Sequence, residues 1–219
     1  MSRYRFHTLD VFTDTPFGGN PLAVVLDADG LRAGQMQAVA AEFNLSETVF
    51  VLTPAVAGSS RKRVRIFTPR VELPFAGHPT VGVAHLLAKL DLVDPAATDG
   101  LMVLEEGIGD VPVKVTRGEG GKLSTQMSVP SMPQRGPEPP ARADVAAMLS
   151  LAETDLLPGQ AAYSCGVPFL FVPLRDRAAM ARIKLRSDLW ERHLSGWWAK
   201  SIYALTTDTV ARDAQIHAR

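Results

Sequence analysis

The sequence predicts an α+β fold: strands wrapped around a fully buried helix, then a second group of strands with short helices. Three observations lead there. Apolar, β-branched runs of strand length recur along the chain. Residues 80–90, TVGVAHLLAKL, are apolar almost all round, which marks a helix enclosed by other elements and not laid on a surface. Residues 130–140 hold five prolines and one glycine, the composition of an extended linker.

The elements follow in order. Residues 4–13 are rich in aromatic and β-branched types and read as a strand. Asp14 to Pro21, DTPFGGNP, is a loop by its turn residues. Residues 22–26, LAVVL, are a short apolar run expected as a buried strand, and DADG at 27–30 is a turn. Residues 31–43 form an amphipathic helix whose apolar stripe is Met36, Val39, Ala40 and Phe43. Strands are expected at 48–52 and 63–67, the second with Val64 and Ile66 on one face. Pro79 suits the first turn of the helix that follows, where its missing N–H costs nothing. Further strands are expected at 101–104, 111–115, 123–129, 168–173, 201–206 and 214–219, with short helices at 143–149 and 187–194. The second half has no counterpart of the buried 80–90 helix, and its last strand breaks off at Arg219. Its sheet is therefore expected to need cover from another chain or from a further segment, and the chain alone to be poorly stable or to self-associate.

Composition narrows the function. Of 219 residues, 46% are hydrophobic and 21% charged, ordinary for a globular protein of one large or two small domains. Twenty-three basic residues balance 23 acidic ones, so no net charge draws the chain to nucleic acid or an anionic membrane. The single cysteine, Cys165, has no disulfide partner within the chain and fits a reducing compartment. It is expected to be a small buried residue. The N-terminus lacks an apolar signal-peptide core, and no run spans a bilayer, so the expectation is a cytoplasmic protein without membrane contact. No phosphate loop, GxGxxG turn or metal-ligand spacing is present, so no cofactor and no metal is expected.

Two segments could carry chemistry. Glu47 lies between Leu45 and Val49 and beside Phe50. A carboxyl in such company is poorly solvated, and desolvation raises its pKa toward the range a proton shuttle needs. The alternative is an exposed residue at a strand start. Residues 75–82, FAGHPTVG, place His78 at the mouth of the buried helix. A helix N-terminus can hold a carboxylate, and His78 can donate to the same ligand or shuttle a proton; alternatively it only caps the helix. Gly18, Gly19 and Asn20 could bring backbone N–H groups and an amide to a ligand. His85 is expected to be a buried, hydrogen-bonded histidine, and Trp190, Trp197 and Trp198 packing groups or a subunit contact.

Together, DVFTDTPFGGNPLAVVL at 10–26, NLSETVFV at 44–51, RIFTPRVELPFAGHPTVG at 65–82 and SCGVPFLFVPL at 164–174 resemble the PhzF-like isomerase family of phenazine biosynthesis. The resemblance implies a diaminopimelate-epimerase-like fold: two similar domains, each a mostly antiparallel curled sheet around a central helix. In this chain they would be residues 1–118 and 119–219, the second without its helix. It implies a homodimer and a cofactor-independent isomerase acting on a small carboxylate, as in trans-2,3-dihydro-3-hydroxyanthranilate isomerisation. Glu47 takes the place of the acid/base glutamate and His78 that of the active-site histidine. Gly19, Asn20, Gly77 and Pro79 take substrate-binding places. Family members continue with a segment of the form EDPATGSA that supplies an aspartate and a serine; it is not among these residues. Asp208 and Asp213 lie in no such context. The alternative reading is a catalytically inactive paralogue serving as a binding or scaffolding protein. A two-cysteine racemase on the same fold needs a second thiol, which this sequence lacks.

Overall fold

The computed structural model describes residues 3–129, 132–210, 212 and 214–219. Asp213 lies outside the described residues. The chain divides into two compact units, Met1–Pro130 and Ser131–Arg219. The division falls at 130/131 instead of 118/119, because the strand at Leu123–Met127 pairs within the first sheet.

The first unit is a curled, mixed sheet built around one helix. Its strands are β1 (Phe6–Val11), β2 (Asn20–Val25), β3 (Glu47–Leu52), β4 (Arg61–Phe67), β5 (Glu72–Leu73), β6 (Leu101–Glu106), β7 (Gly109–Arg117) and β8 (Leu123–Met127). Their order is β1-β2-β3-β4-β6-β7-β8, with β5 paired to β4. Among the described residues of this sheet, only the β2–β3 and β4–β6 pairs are parallel. A parallel pair needs a crossover, and each is bridged by a helix. The helix α1 (Ala33–Phe43) joins β2 to β3, and α2 (Gly77–Lys89) lies between β4 and β6 in sequence.

The two helices take opposite faces of the sheet. Leu22, Val24, Val49, Val51, Val64, Ile66, Met102, Leu104, Val113 and Val115 surround α2. The intervening residues Val25, Phe50, Leu52 and Phe67 pack on Met36 and Ala40 of α1. Strands covered on both faces read as unbroken apolar runs, which is why LAVVL and TVFVL show no alternation. Nine of the thirteen residues of α2 are buried, as the all-round apolar pattern requires. Gly82 makes the close approach possible: a Cβ there would lie 2.7 Å from both Leu22 Cδ2 and Val11 Cγ2.

The second unit carries β9 (Gln134–Arg135), β10 (Ala161–Ser164), β11 (Pro168–Pro173), β12 (Ser201–Thr206) and β13 (His217–Ala218), with α3 (Arg142–Met148), α4 (Arg177–Arg182) and α5 (Ser187–His193). The strand order is β13-β12-β11-β10-β9, antiparallel except for β11–β12. One face holds the core of Val145, Met148, Leu170, Val172, Met180 and Ala204, with Trp190 and Trp197 packed against it. Tyr163, Phe169, Phe171 and Tyr203 form a contiguous ring cluster, with Tyr163 and Tyr203 exposed. Trp198 covers Gly136, where a Cβ would lie 2.4 Å from the indole. The final strand is two residues long, not six. Cys165 is half-buried, not buried, since it sits in the turn that leads to Gly166 with φ 125°. No helix of the described residues is long and apolar enough to cross a membrane.

Candidate active site

Three strand ends and one helix start meet at one end of the first sheet. β1 finishes at Val11 opposite Asn20, the first residue of β2. β2 and β3 start side by side, Leu22 pairing with Glu47. Asn44 ends α1 in the left-handed region, φ 49°, a conformation its short polar side chain tolerates, and returns the chain to β3. Val49 and Val51 face α2, so period-two alternation turns Glu47 to α2 as well.

His78, the second residue of α2, meets that carboxyl. Nδ1 of His78 lies 3.2 Å from Oε2 of Glu47, with both side chains largely buried. The imidazole also hydrogen-bonds to the Pro21 backbone. Glu47 Oε2 has no well-aligned hydrogen bond, and His78 Nε2 is buried without one. Burial raises the Glu47 carboxyl above its ordinary pKa. It also lowers the His78 imidazole, the Pro21 hydrogen bond opposing. The separation would suit an ion pair, but both shifts favour the neutral acid beside the neutral imidazole. Two buried polar atoms, one on each partner, thus have no hydrogen-bond partner among the described residues.

The other expected residues surround this pair. Asn20 is exposed, and its Oδ1 accepts from Ser46 Oγ at 3.2 Å. Gly19 admits no side chain, because a Cβ would lie 2.4 Å from the Val11 carbonyl oxygen. The loop before it is held by Asp10, whose Oδ2 accepts from the Phe17 N–H at 2.8 Å. Gly77 opens α2 and faces Met127, whose Cε would lie 3.2 Å from a Cβ at 77. Pro79 is buried in the first turn. Ala76 at the N-cap offers no capping side chain, so the positive end of the helix carries no side-chain cap.

His85 is half-buried in α2 and lines a small cavity with Asp10 and Thr125; the helix faces the gap beside β1 there, which is why it is not fully enclosed. Asp208 accepts from the Arg177 N–H and its guanidinium. No group of three or more His, Cys, Asp or Glu among the described residues could hold a metal. Two residues that sequence reasoning passes over belong to the neighbourhood: Thr80, one turn into α2, and Glu106, whose Oε1 lies 2.7 Å from Thr80 Oγ1. A signal exists, because Glu106 continues the inward alternation of Met102 and Leu104.

Known proteins resemble this chain in sequence and in fold. An uncharacterized isomerase of Mesorhizobium japonicum is 41% identical over 227 aligned positions, covering all of this chain and 73% of that protein. The trans-2,3-dihydro-3-hydroxyanthranilate isomerase of Pseudomonas aeruginosa is 42% identical over 128 residues, 58% of this chain and 43% of that one. The crystal structure of the Bacillus anthracis phenazine biosynthesis protein of the PhzF family superposes with a TM-score of 0.86 at 28% identity. It covers all of this chain and 72% of that one. The family model for phenazine biosynthesis-like proteins, PhzC-PhzF, matches residues 9–219, and the chain belongs to that family.

Proposed function

We propose that the protein is a cofactor-independent isomerase that moves a proton between two carbons of a small carboxylate substrate, with Glu47 as the acid/base. The observation that carries this reading is the Glu47–His78 pair: a buried carboxyl with raised pKa, 3.2 Å from a buried imidazole, and with polar atoms still uncommitted. Glu47 as carboxylate accepts a proton from one substrate carbon. As carboxylic acid, its O–H exchanging with solvent, it then delivers a proton to another. Atoms and electrons balance without an oxidant. A raised pKa brings the two forms of Glu47 closer in energy near neutral pH, the condition for efficient general acid/base work. His78, neutral by burial, can accept or donate a hydrogen bond without placing a full charge beside Glu47.

The uncapped start of α2 suits the substrate carboxylate, and Gly19, Asn20, Gly77 and Pro79 frame the position it would take. The hydroxyanthranilate named for the Pseudomonas relative is the first substrate to test. A cytoplasmic homodimer serving phenazine-type biosynthesis is the accompanying expectation. The test is conversion of trans-2,3-dihydro-3-hydroxyanthranilate, followed by NMR, for the wild-type chain and for Glu47→Gln. Turnover that drops by about 10²- to 10⁴-fold in the variant, with an unchanged melting curve, supports the reading. Equal turnover in the two removes Glu47 from the role.

A further inference from the structure

The hydroxyl of Thr80 touches two oxygens. It lies 2.8 Å from the Ala76 carbonyl and 2.7 Å from Oε1 of Glu106. A hydroxyl has one hydrogen to give, while a carbonyl and an ionised carboxylate have none. With a carboxylate at 106, only one of these contacts is a hydrogen bond, and the other sets two oxygen lone pairs against each other. With a carboxylic acid, both are satisfied: Glu106 donates to Thr80, and Thr80 donates to Ala76. A second observation agrees. Oε2 of Glu106 is buried and has no hydrogen-bond partner. A buried, unpaired oxygen is far more costly on an anion than on a neutral acid.

We infer that Glu106 carries its proton on the acid side of neutrality and is a positioning residue, ordering the chain Glu106–Thr80–Ala76 that fixes the first turn of α2 beneath Gly77 and His78. Burial raises this carboxyl to about 7, with the Thr80 hydrogen bond opposing. The groups around it do not reverse that. On β6 itself, Glu105 turns to the other face, where Arg61 and the amides of Ala55 and Val56 hold it. From β4, Arg63 and Arg65 share the wall of a 510 Å³ cleft with Glu106, and Arg65 is committed to Glu72 of β5. β7 presents Val111 and Val113 inward. On α2, His78 is engaged by Glu47. Once Glu106 ionises, the Thr80 hydrogen is drawn to the carboxylate, and the Ala76 carbonyl loses its side-chain donor.

The consequence for catalysis rests on the proposed role of the Glu47–His78 pair, whereas the proton on Glu106 does not. The test is therefore made without substrate. In the ¹³C,¹⁵N-labelled 219-residue chain, the Glu106 Cδ resonance and the Gly77 and His78 amide resonances are followed between pH 4 and 9. Assignment through the backbone makes the result independent of any variant. Expected is a Glu106 midpoint near 7, with the two amides moving at the same midpoint. Glu106→Gln abolishes that movement and leaves the titrations of Glu47, above 4.5, and of His78, below 6.5. Thr80→Val leaves Glu106 titrating high by burial but uncouples the amides, and Thr80→Ser restores the coupling. A Glu106 midpoint near 4.5 overturns the inference. So does a midpoint near 7 that the Gly77 and His78 amides ignore. Failure of isomerase turnover bears on neither result.

Discussion

At the scale of single residues, burial acts on two titratable groups at once. Glu47 is pushed toward its acid form and His78 toward its neutral base, while 3.2 Å apart. The active base is the ionised carboxylate, so proton transfer by Glu47 should fall as pH drops through a midpoint above 4.5. A pH–rate profile with its acid limb at or below 4.5 would contradict the effect of burial. Gly19 gives a second prediction. A methyl group there would lie 2.6 Å from Thr13 Cγ2 and 2.4 Å from the Val11 carbonyl, which cannot step aside without moving the backbone. Gly19→Ala should therefore raise KM for a carboxylate substrate about tenfold or more, a loss of ~1.4 kcal/mol in binding, while secondary structure is retained. Steady-state kinetics beside a circular dichroism spectrum check it. Glu47 and His78 are singled out in the sequence by the resemblance of NLSET and FAGHP to family motifs, whereas the residues alone leave an exposed strand start and a helix cap open. Pro21 and Ser46 are not, since their contributions are a backbone hydrogen bond and a contact to Asn20 that only the register of β2 and β3 creates.

At the scale of elements, α2 is the centre of the first unit, and Gly82 tests that. Alanine at a helix interior normally gains up to about 1 kcal/mol over glycine. In α2 the added methyl would press on Leu22 and Val11 at 2.7 Å. Overpacking outweighs propensity, so Gly82→Ala should lower the unfolding free energy by about 1–2 kcal/mol in a denaturant titration. Glu106 adds a pH dependence to the same helix. Its folded pKa of about 7 exceeds the ordinary 4.5, so the folded state binds the proton more tightly. That stability is complete below 4.5 and is lost as pH rises toward 7, about 3 kcal/mol in all. Unfolding of the wild type measured against Glu106→Gln between pH 5 and 8 isolates it. The long elements are readable from pattern. β5, β9 and β10 escape because two- and four-residue strands carry too few positions to show a period. α4 escapes as well, although Asp176 announces it, the carboxylate accepting from the Ala179 N–H at 2.7 Å.

At the scale of the whole chain, the two units differ in how their sheets are covered. The first encloses α2 on one face and packs α1 on the other. The second packs its helices with one core, while Tyr163, Phe169, Phe171 and Tyr203 cluster with ring centroids 5.3–6.5 Å apart, partly open to solvent. An apolar patch of this kind should bind an environment-sensitive dye in the native state. A Phe171→Ser, Tyr203→Ser double variant should lose most of that fluorescence. An unchanged signal would mean the dye binds elsewhere. The uneven cover is foreseeable, because no run as apolar all round as residues 80–90 recurs after residue 130. The division at 130/131 is not, because only pairing with β7 assigns Leu123–Met127 to the first sheet. The proton carried by Glu47 is the centre of the proposed chemistry. Its most direct test is solvent-deuterium incorporation, with trans-2,3-dihydro-3-hydroxyanthranilate incubated with the protein in D₂O and the labelled carbon located by NMR. Deuterium is expected at the proton-accepting carbon with the wild-type chain and none above background with Glu47→Gln. Equal labelling by the two would contradict a proton carried by Glu47.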